Sequence, residues 1–333
     1  TCVKNAPCYE VERGEVMKKT WYLIIGVVLL VIGCIAYGYH EHHKPKTAQE
    51  LKTVRVAYLP ITHALPVFAT KELETADGPV HVELVKYGSW PELMDALNTG
   101  KVDAASVLVE LGVKAREQGI DVRAAALGHT EGNIIIVNKD INSVQDLKGK
   151  SFAIPHKQST QKILVDCMLE QAGLSEKDVQ IVEMSPPEMP SALSVGQIAG
   201  YSVAEPFGSL ALEMGTGKVF EDPDHLWHDN ICCALVFNGQ FVDEHHDLAK
   251  AFTKAYLDAG TYLDEHPKAQ EEISSKYMKF NDSVIERSLK VIGFKDLALT
   301  EDRYNALVHH MTHIDLIKKV PSYSEFVDTS LLP

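Results

Sequence analysis

This 333-residue chain has no CxxC pair and no ligand-spaced cluster among its six cysteines. A zinc ribbon or a thioredoxin-type redox motif is thereby excluded. It also lacks a basic stripe: 32 lysines and arginines face 46 acidic residues, a formal charge of −14. That excludes a nucleic-acid binder, although a local site can be electropositive inside an acidic protein. The phosphate-loop motif is missing as well, because Gly215-Thr-Gly-Lys218 lacks the required spacing and a following helix, and it reads as a hairpin turn. What is present is ordinary globular composition, 45% hydrophobic and 23% charged. The length suffices for two α/β lobes with their own cores.

The N-terminus separates from the fold. Met17-Lys-Lys-Thr precedes an apolar run over residues 21–39, which reads as an export signal or a membrane anchor. Val31-Ile-Gly-Cys34 resembles the bacterial lipobox, in which the cysteine is lipidated; nineteen apolar residues also suffice to span a bilayer uncut. Residues 1–16 look like neither signal nor fold and read as a leader upstream of the true start at Met17. Residues 40–52 are polar, carry a histidine trio and read as a solvated tether.

Three cysteines remain for the globular part. Adjacent Cys232 and Cys233 would permit a strained vicinal disulfide outside the cytoplasm. The preferred reading makes them small apolar residues of a strand, Ile231 to Phe237.

The strongest internal signal is a repeat. Residues 88–112 superpose without a gap on residues 184–208, and between Pro91 and Leu108 seven pairs are identical: Pro91/Pro187, Glu92/Glu188, Ala96/Ala192, Leu97/Leu193, Gly100/Gly196, Ser106/Ser202 and Val107/Val203. Each copy reads as strand, helix, strand. Proline suits the first helical turn, glutamate complements the helix dipole, and Gly100 and Gly196 stand where a C′ glycine stops a helix. Two such units imply two similar lobes, and two lobes imply a cleft.

Strand and helix alternate in both halves, which favours parallel sheets with ligands beyond the carboxyl ends of the strands. Four helix N-termini point at that crevice: Thr62-His63, Ser89-Trp90, Gln158-Ser159-Thr160 and Ser185-Pro187. Unpaired N–H groups and a partial positive charge make each a ready place for a small anion. Trp90 adds a flat wall with one N–H donor. Glu205, at a strand end before Pro206, suits either an amine or a structural role at the hinge. His309 and His313 share a helical face at i and i+4, but without a third ligand they read as a solvated face. No metal, cofactor or catalytic group is assigned.

The segments VAYLPITHALPVFA (56–69), SWPELMDALNTGKVDAASVL (89–108), LGHTEGNIIIV (127–137), DLKGKSFAIPHKQST (146–160), AEPFG (204–208) and CCALVF (232–237) occur in an order and spacing that resemble one family. It is that of the extracytoplasmic substrate-binding proteins of ABC importers in the nitrate, sulfonate, taurine and bicarbonate group. The resemblance implies a two-lobed periplasmic-binding-protein-like fold of type II, with parallel-sheet lobes joined by two crossovers around a ligand cleft. Lobe 1 would hold residues 53–138 plus 226–333, and lobe 2 residues 139–225. It also implies ligand contacts near Thr62, His63, Trp90, His129, His156, Ser159 and Glu205, with Ser89 and Thr160 added from the helix N-termini. Many relatives have His-Pro where this chain has Asn230-Ile231, so a ligand role for that loop does not carry over.

The function so implied is capture of a small, anionic solute by hinge closure and its delivery to membrane permease and ATPase subunits, by a monomer tethered through Cys34 or an N-terminal anchor. A thiamine-precursor (pyrimidine) binding protein is the alternative. A pyrimidine-synthase-like enzyme on the same fold is weaker still, because two adjacent cysteines fall short of that enzyme's motif.

Overall fold

The computed structural model describes residues 21–22, 25–26, 29–31, 33 and 52–333. The chain divides into two units, Thr1–Leu51 and Lys52–Pro333. In the first, the described residues are helical. No helix among the described residues is long and apolar enough to cross a membrane. The expected leader, the lipidation candidate Cys34 and the tether as far as residue 51 lie outside the described residues.

The second unit runs β1 (Thr53–Tyr58), α1 (Leu65–Glu72), β2 (His81–Lys86), α2 (Trp90–Asn98), β3 (Ala104–Leu108), α3 (Val109–Glu117), β4 (Val122–Leu127), β5 (Thr130–Glu131) and β6 (Asn133–Asn138). It continues with β7 (Ser151–Ile154), α4 (Thr160–Gln171), β8 (Gln180–Glu183), α5 (Met189–Ser194), β9 (Gly200–Ala204), α6 (Phe207–Glu213), β10 (Gly217–Val219) and β11 (Cys233–Asn238). Helices dominate thereafter, among them α7 (His246–Glu265) and α8 (Glu301–His313).

Two five-stranded sheets result, ordered β2-β1-β3-β11-β4 and β8-β7-β9-β6-β10. The orders match strand for strand, so the lobes are built alike. In each sheet the first three strands are parallel. The fourth strand, β11 or β6, runs antiparallel to both neighbours. The mostly parallel sheets are thus mixed: β6 and β11 enter from the other lobe, so no crossover helix constrains their direction.

The expected boundary also moves. The resemblance implies lobe 1 as far as residue 138, yet β6 pairs with β9 and β10 in the second sheet. The chain therefore changes sheets between Leu127 and Asn133. The segment around Gly215 turns from α6 into β10, as the end of a helix rather than a hairpin.

The repeat is structural. Strands β3 and β9 begin and end at aligned positions, and Gly100 and Gly196 share φ +71, the left-handed conformation a helix stop requires. The first copy's helix buries Leu93, Ala96 and Leu97 on one face. Each buried leucine contributes about 1.5–3 kcal/mol. The second copy starts late: Pro187 lies in a single 3-10 turn, Pro186–Glu188, and the α-helix begins only at Met189. Prolines at 186, 187 and 190 remove three of the amides an earlier start would use.

Candidate functional site

The site lies where strand ends of both sheets meet. Strand β1 leads to Thr62 and His63, β3 to Glu110, β4 to His129, β7 to Ser159 and Thr160, and β9 to Glu205. Antiparallel β11 begins at this same edge, with Cys233 paired to Leu108 at the end of β3. The two sheets' loops are in direct contact. Thr62 donates its N–H (3.1 Å) and its hydroxyl (2.9 Å) to the Glu205 carbonyl. His63 Nε2 lies 2.9 Å from the Gly132 carbonyl.

Beneath that contact lies a buried cluster of two histidines and two cysteines. His63, Cys232 and Cys233 have no exposed surface and His129 only 2%. The four side chains present ligand-type atoms all within 4.8 Å of one another. Cys233 Sγ is 3.5 Å from His63 Nδ1 and 3.9 Å from Cys232 Sγ. The imidazoles of His63 and His129 pack with centroids 3.6 Å apart. Burial, and then the neighbouring His63, draw His129 down to a pKa of about 4, so it is neutral at physiological pH. Neither of its ring nitrogens has a hydrogen-bond partner.

The thiols divide their proton unequally. Burial pushes Cys232 up, but the hydrogen bond from Cys233 and the nearby histidines outweigh it and hold Cys232 well below an ordinary thiol. Burial and the Cys232 charge push Cys233 well above one.

Lobe 2 covers this cluster with polar side chains. Gln161 Nε2 donates to Cys232 Sγ (3.4 Å) and to Asn133 Oδ1 (2.7 Å), and Asn133 Nδ2 donates to Asn230 Oδ1 (3.2 Å). Thr160 Oγ1 is 2.5 Å from Glu110 Oε1 and 2.7 Å from the Ile231 carbonyl. One hydroxyl proton cannot serve two acceptors. A protonated Glu110 resolves this by donating to Thr160, which in turn donates to Ile231. Burial does push the Glu110 carboxyl well above its usual range. Glu110 Oε2 and Gln161 Oε1 are left without partners, and buried polar atoms of that kind are rare enough to call for an explanation.

The remaining expected residues sort by role. Ser89 and Ser159 cap α2 and α4, accepting from the N–H groups of Glu92 (3.5 Å) and Lys162 (3.1 Å). Glu205 is a cap for α6: its carboxylate accepts the Ser209 N–H and hydroxyl, both at 2.9 Å. Trp90 is buried with Nε1 unpaired. It shares a pocket of about 170 Å³ with His156 and Gln158, and the other walls are α2 and α3 residues such as Met94, Asn98, Leu111 and Lys114. His156 Nδ1 accepts the Gln158 N–H at 3.0 Å, and burial lowers its pKa. A larger pocket of about 660 Å³ has Gly132, Asn133 and Asn230 in its wall, and none of the four clustered side chains lines it. His309 and His313 are solvent-facing, and His313 pairs with Glu170.

Sequence reasoning missed Glu110, Asn133 and Gln161 and gave Cys232 and Cys233 no role. Glu110 sits in a largely apolar stretch, and Asn133 and Gln161 lie in or beside segments quoted for the resemblance, but no local spacing singles out their side chains. The cysteines read as strand, which is where Cys233 lies.

A model of the NMT1-like family matches residues 47–277. The chain is 29% identical over 285 residues to a protein of Bacillus subtilis (strain 168) described as a putative aliphatic sulfonates-binding protein, covering 82% of each. It is 25% identical over 239 residues to the nitrate import ATP-binding protein NrtC of Synechocystis sp. (strain ATCC 27184 / PCC 6803 / Kazusa), covering 65% of this chain and 36% of that one. The chain thus spans little more than a third of NrtC. A crystal structure of the ligand-binding component of an ABC-type import system from Staphylococcus aureus, with zinc bound, is 35% identical with a TM-score of 0.80, covering 84% of this chain and 97% of that one.

Proposed function

The chain belongs to the NMT1-like family, and on that premise we propose that it is the extracytoplasmic substrate-binding component of an ABC importer. It captures a small solute of the nitrate, sulfonate, taurine or bicarbonate class and hands it to permease and ATPase subunits. The observation that carries this reading is the pair of like-built sheets whose loops close directly on each other around unpartnered buried polar groups. Contacts such as Thr62 to Glu205 join the two sheets, and a solute held by both lobes favours the state in which the lobes meet. Trp90, His156 and Lys114 line one pocket between residues of the two lobes, and the lysine ammonium there suits an oxyanion or sulfonate group. The protein acts as a receptor, with no bond made or broken. It works as a monomer held at the membrane through Cys34 or its N-terminal segment.

The test is a thermal-shift screen against nitrate, bicarbonate, taurine, alkanesulfonates, thiamine precursors and zinc, followed by small-angle scattering with each hit. A ligand that binds only the folded state raises the melting temperature, and closure reduces the radius of gyration. A solute of the oxyanion or sulfonate class that does both supports the reading. A response to thiamine precursors alone moves the assignment to that class, and identical curves with every compound overturn it.

A further inference from the structure

We propose that His63, His129, Cys232 and Cys233 form a four-ligand site for one thiophilic divalent metal ion of the zinc class. This goes beyond the solute reading, because the site stands whichever solute the cleft takes. The first support is distance. A tetrahedral zinc ion, with bonds of about 2.3 Å to sulfur and about 2.05 Å to nitrogen, sets its donors roughly 3.8 Å apart for sulfur to sulfur and roughly 3.6 Å for sulfur to nitrogen. The side chains already stand at 3.9 Å for the two Sγ atoms and 3.5 Å for Cys233 Sγ to His63 Nδ1.

The second support is the surrounding shell. His63 hydrogen-bonds the Gly132 carbonyl through Nε2, which fixes the tautomer and turns the Nδ1 lone pair toward Cys233. Gln161 donates to Cys232 Sγ, as a neighbour of a thiolate ligand does. The third is the pair of orphaned nitrogens on His129: a buried imidazole with no partner on either side is costly, and coordination by one of them removes that cost. Two thiolates and two neutral imidazoles also balance a divalent charge in a buried place.

All four ligands come from loops and strand ends of the first sheet, so lobe 1 alone supplies a complete set, and lobe 2 covers it through Gly132 and Gln161.

The experiment uses the full chain, stripped with a chelator and titrated with zinc and with cobalt(II). The expected result is one ion per chain, a raised melting temperature, and for cobalt a thiolate charge-transfer band with tetrahedral ligand-field intensity. C232S and H129Q are expected to weaken binding at least ~100-fold, and Gln161→Ala ~10-fold or more. Cys167→Ala and His313→Gln leave it unchanged. Absence of a thiolate-to-cobalt band in the unmutated protein overturns the site without any variant having to fold. So does zinc binding that survives in C232S. Repeating the solute screen on stripped and zinc-loaded protein separates the two readings: solute binding without a thiolate–cobalt band sinks the metal site alone, and the band without any solute response sinks the solute class alone.

Discussion

Thr62 and Glu205 meet across the cleft: the backbone N–H and side-chain hydroxyl of Thr62 both donate to the Glu205 carbonyl, at 3.1 and 2.9 Å. Both residues are buried, and they belong to loops that follow strands of different sheets. The Glu205 carboxylate is fully engaged in capping α6, so its backbone, and not its charge, does the bridging.

Thr62→Val removes the hydroxyl half of this contact while keeping shape. The loss of one buried hydrogen bond costs about 1 kcal/mol. If the bond belongs to the closed state, solute affinity falls about 5-fold by calorimetry. Unchanged affinity would show that the contact persists in the open protein.

Trp90→Phe tests the wall of the smaller pocket. The indole Nε1 has no partner in the protein, so its loss leaves the fold without a broken bond. Affinity for the solute is expected to drop about 3- to 10-fold, and because the ring is buried in the core, stability falls by about 1–2 kcal/mol. Unchanged affinity would deny Trp90 a place in the solute site.

Gly208→Ala tests the packing of α6 on β6. A Cβ there would stand 2.2 Å from Ile134 Cγ2, too close for any rotamer of the isoleucine to be left undisturbed. The expected cost is about 1–3 kcal/mol in chemical denaturation, partly recovered in the double variant with Ile134→Val. Full additivity of the two substitutions would deny the contact.

Glu117 sets a pH dependence away from the cleft. Its carboxylate is held at a pKa of about 2 by the Lys114 ammonium, with the N–H groups of Lys319 (2.9 Å) and Lys318 (2.7 Å) adding to it. Its folded pKa lies below the ordinary 4.5, so its contribution is present above that value and is lost as pH falls toward 2. Glu117→Gln should therefore be less stable near neutrality, by about 1–2 kcal/mol, and should flatten the decline between pH 4.5 and 2. A wild-type acid profile that superposes on the variant's would refute this role.

Legibility varied from element to element. The βαβ repeat could be read because its cues are local: a proline at the first turn, a leucine pair on one face and a glycine at the stop act within a dozen residues. The destination of β6 could not, since an apolar run such as Asn133–Asn138 pairs equally well with either sheet until the whole chain is folded. Trp90 and His156 share one pocket with residues of α2 and α3, an association that no local spacing announces. Ser89, Ser159 and Glu205 were expected near the cleft, and their side chains cap helices.

The sequence by itself determined two α/β lobes of one design and a set of strand ends aimed at a crevice, because periodicity, helix caps and repetition are properties of neighbouring residues. Only the tertiary structure decided that His63 and Cys233, 170 positions apart, stand 3.5 Å from each other with His129 and Cys232 beside them. No cysteine spacing along the chain signals such a cluster, because its ligands are brought together by the order of strands in a sheet, and that order is fixed by packing over the whole lobe.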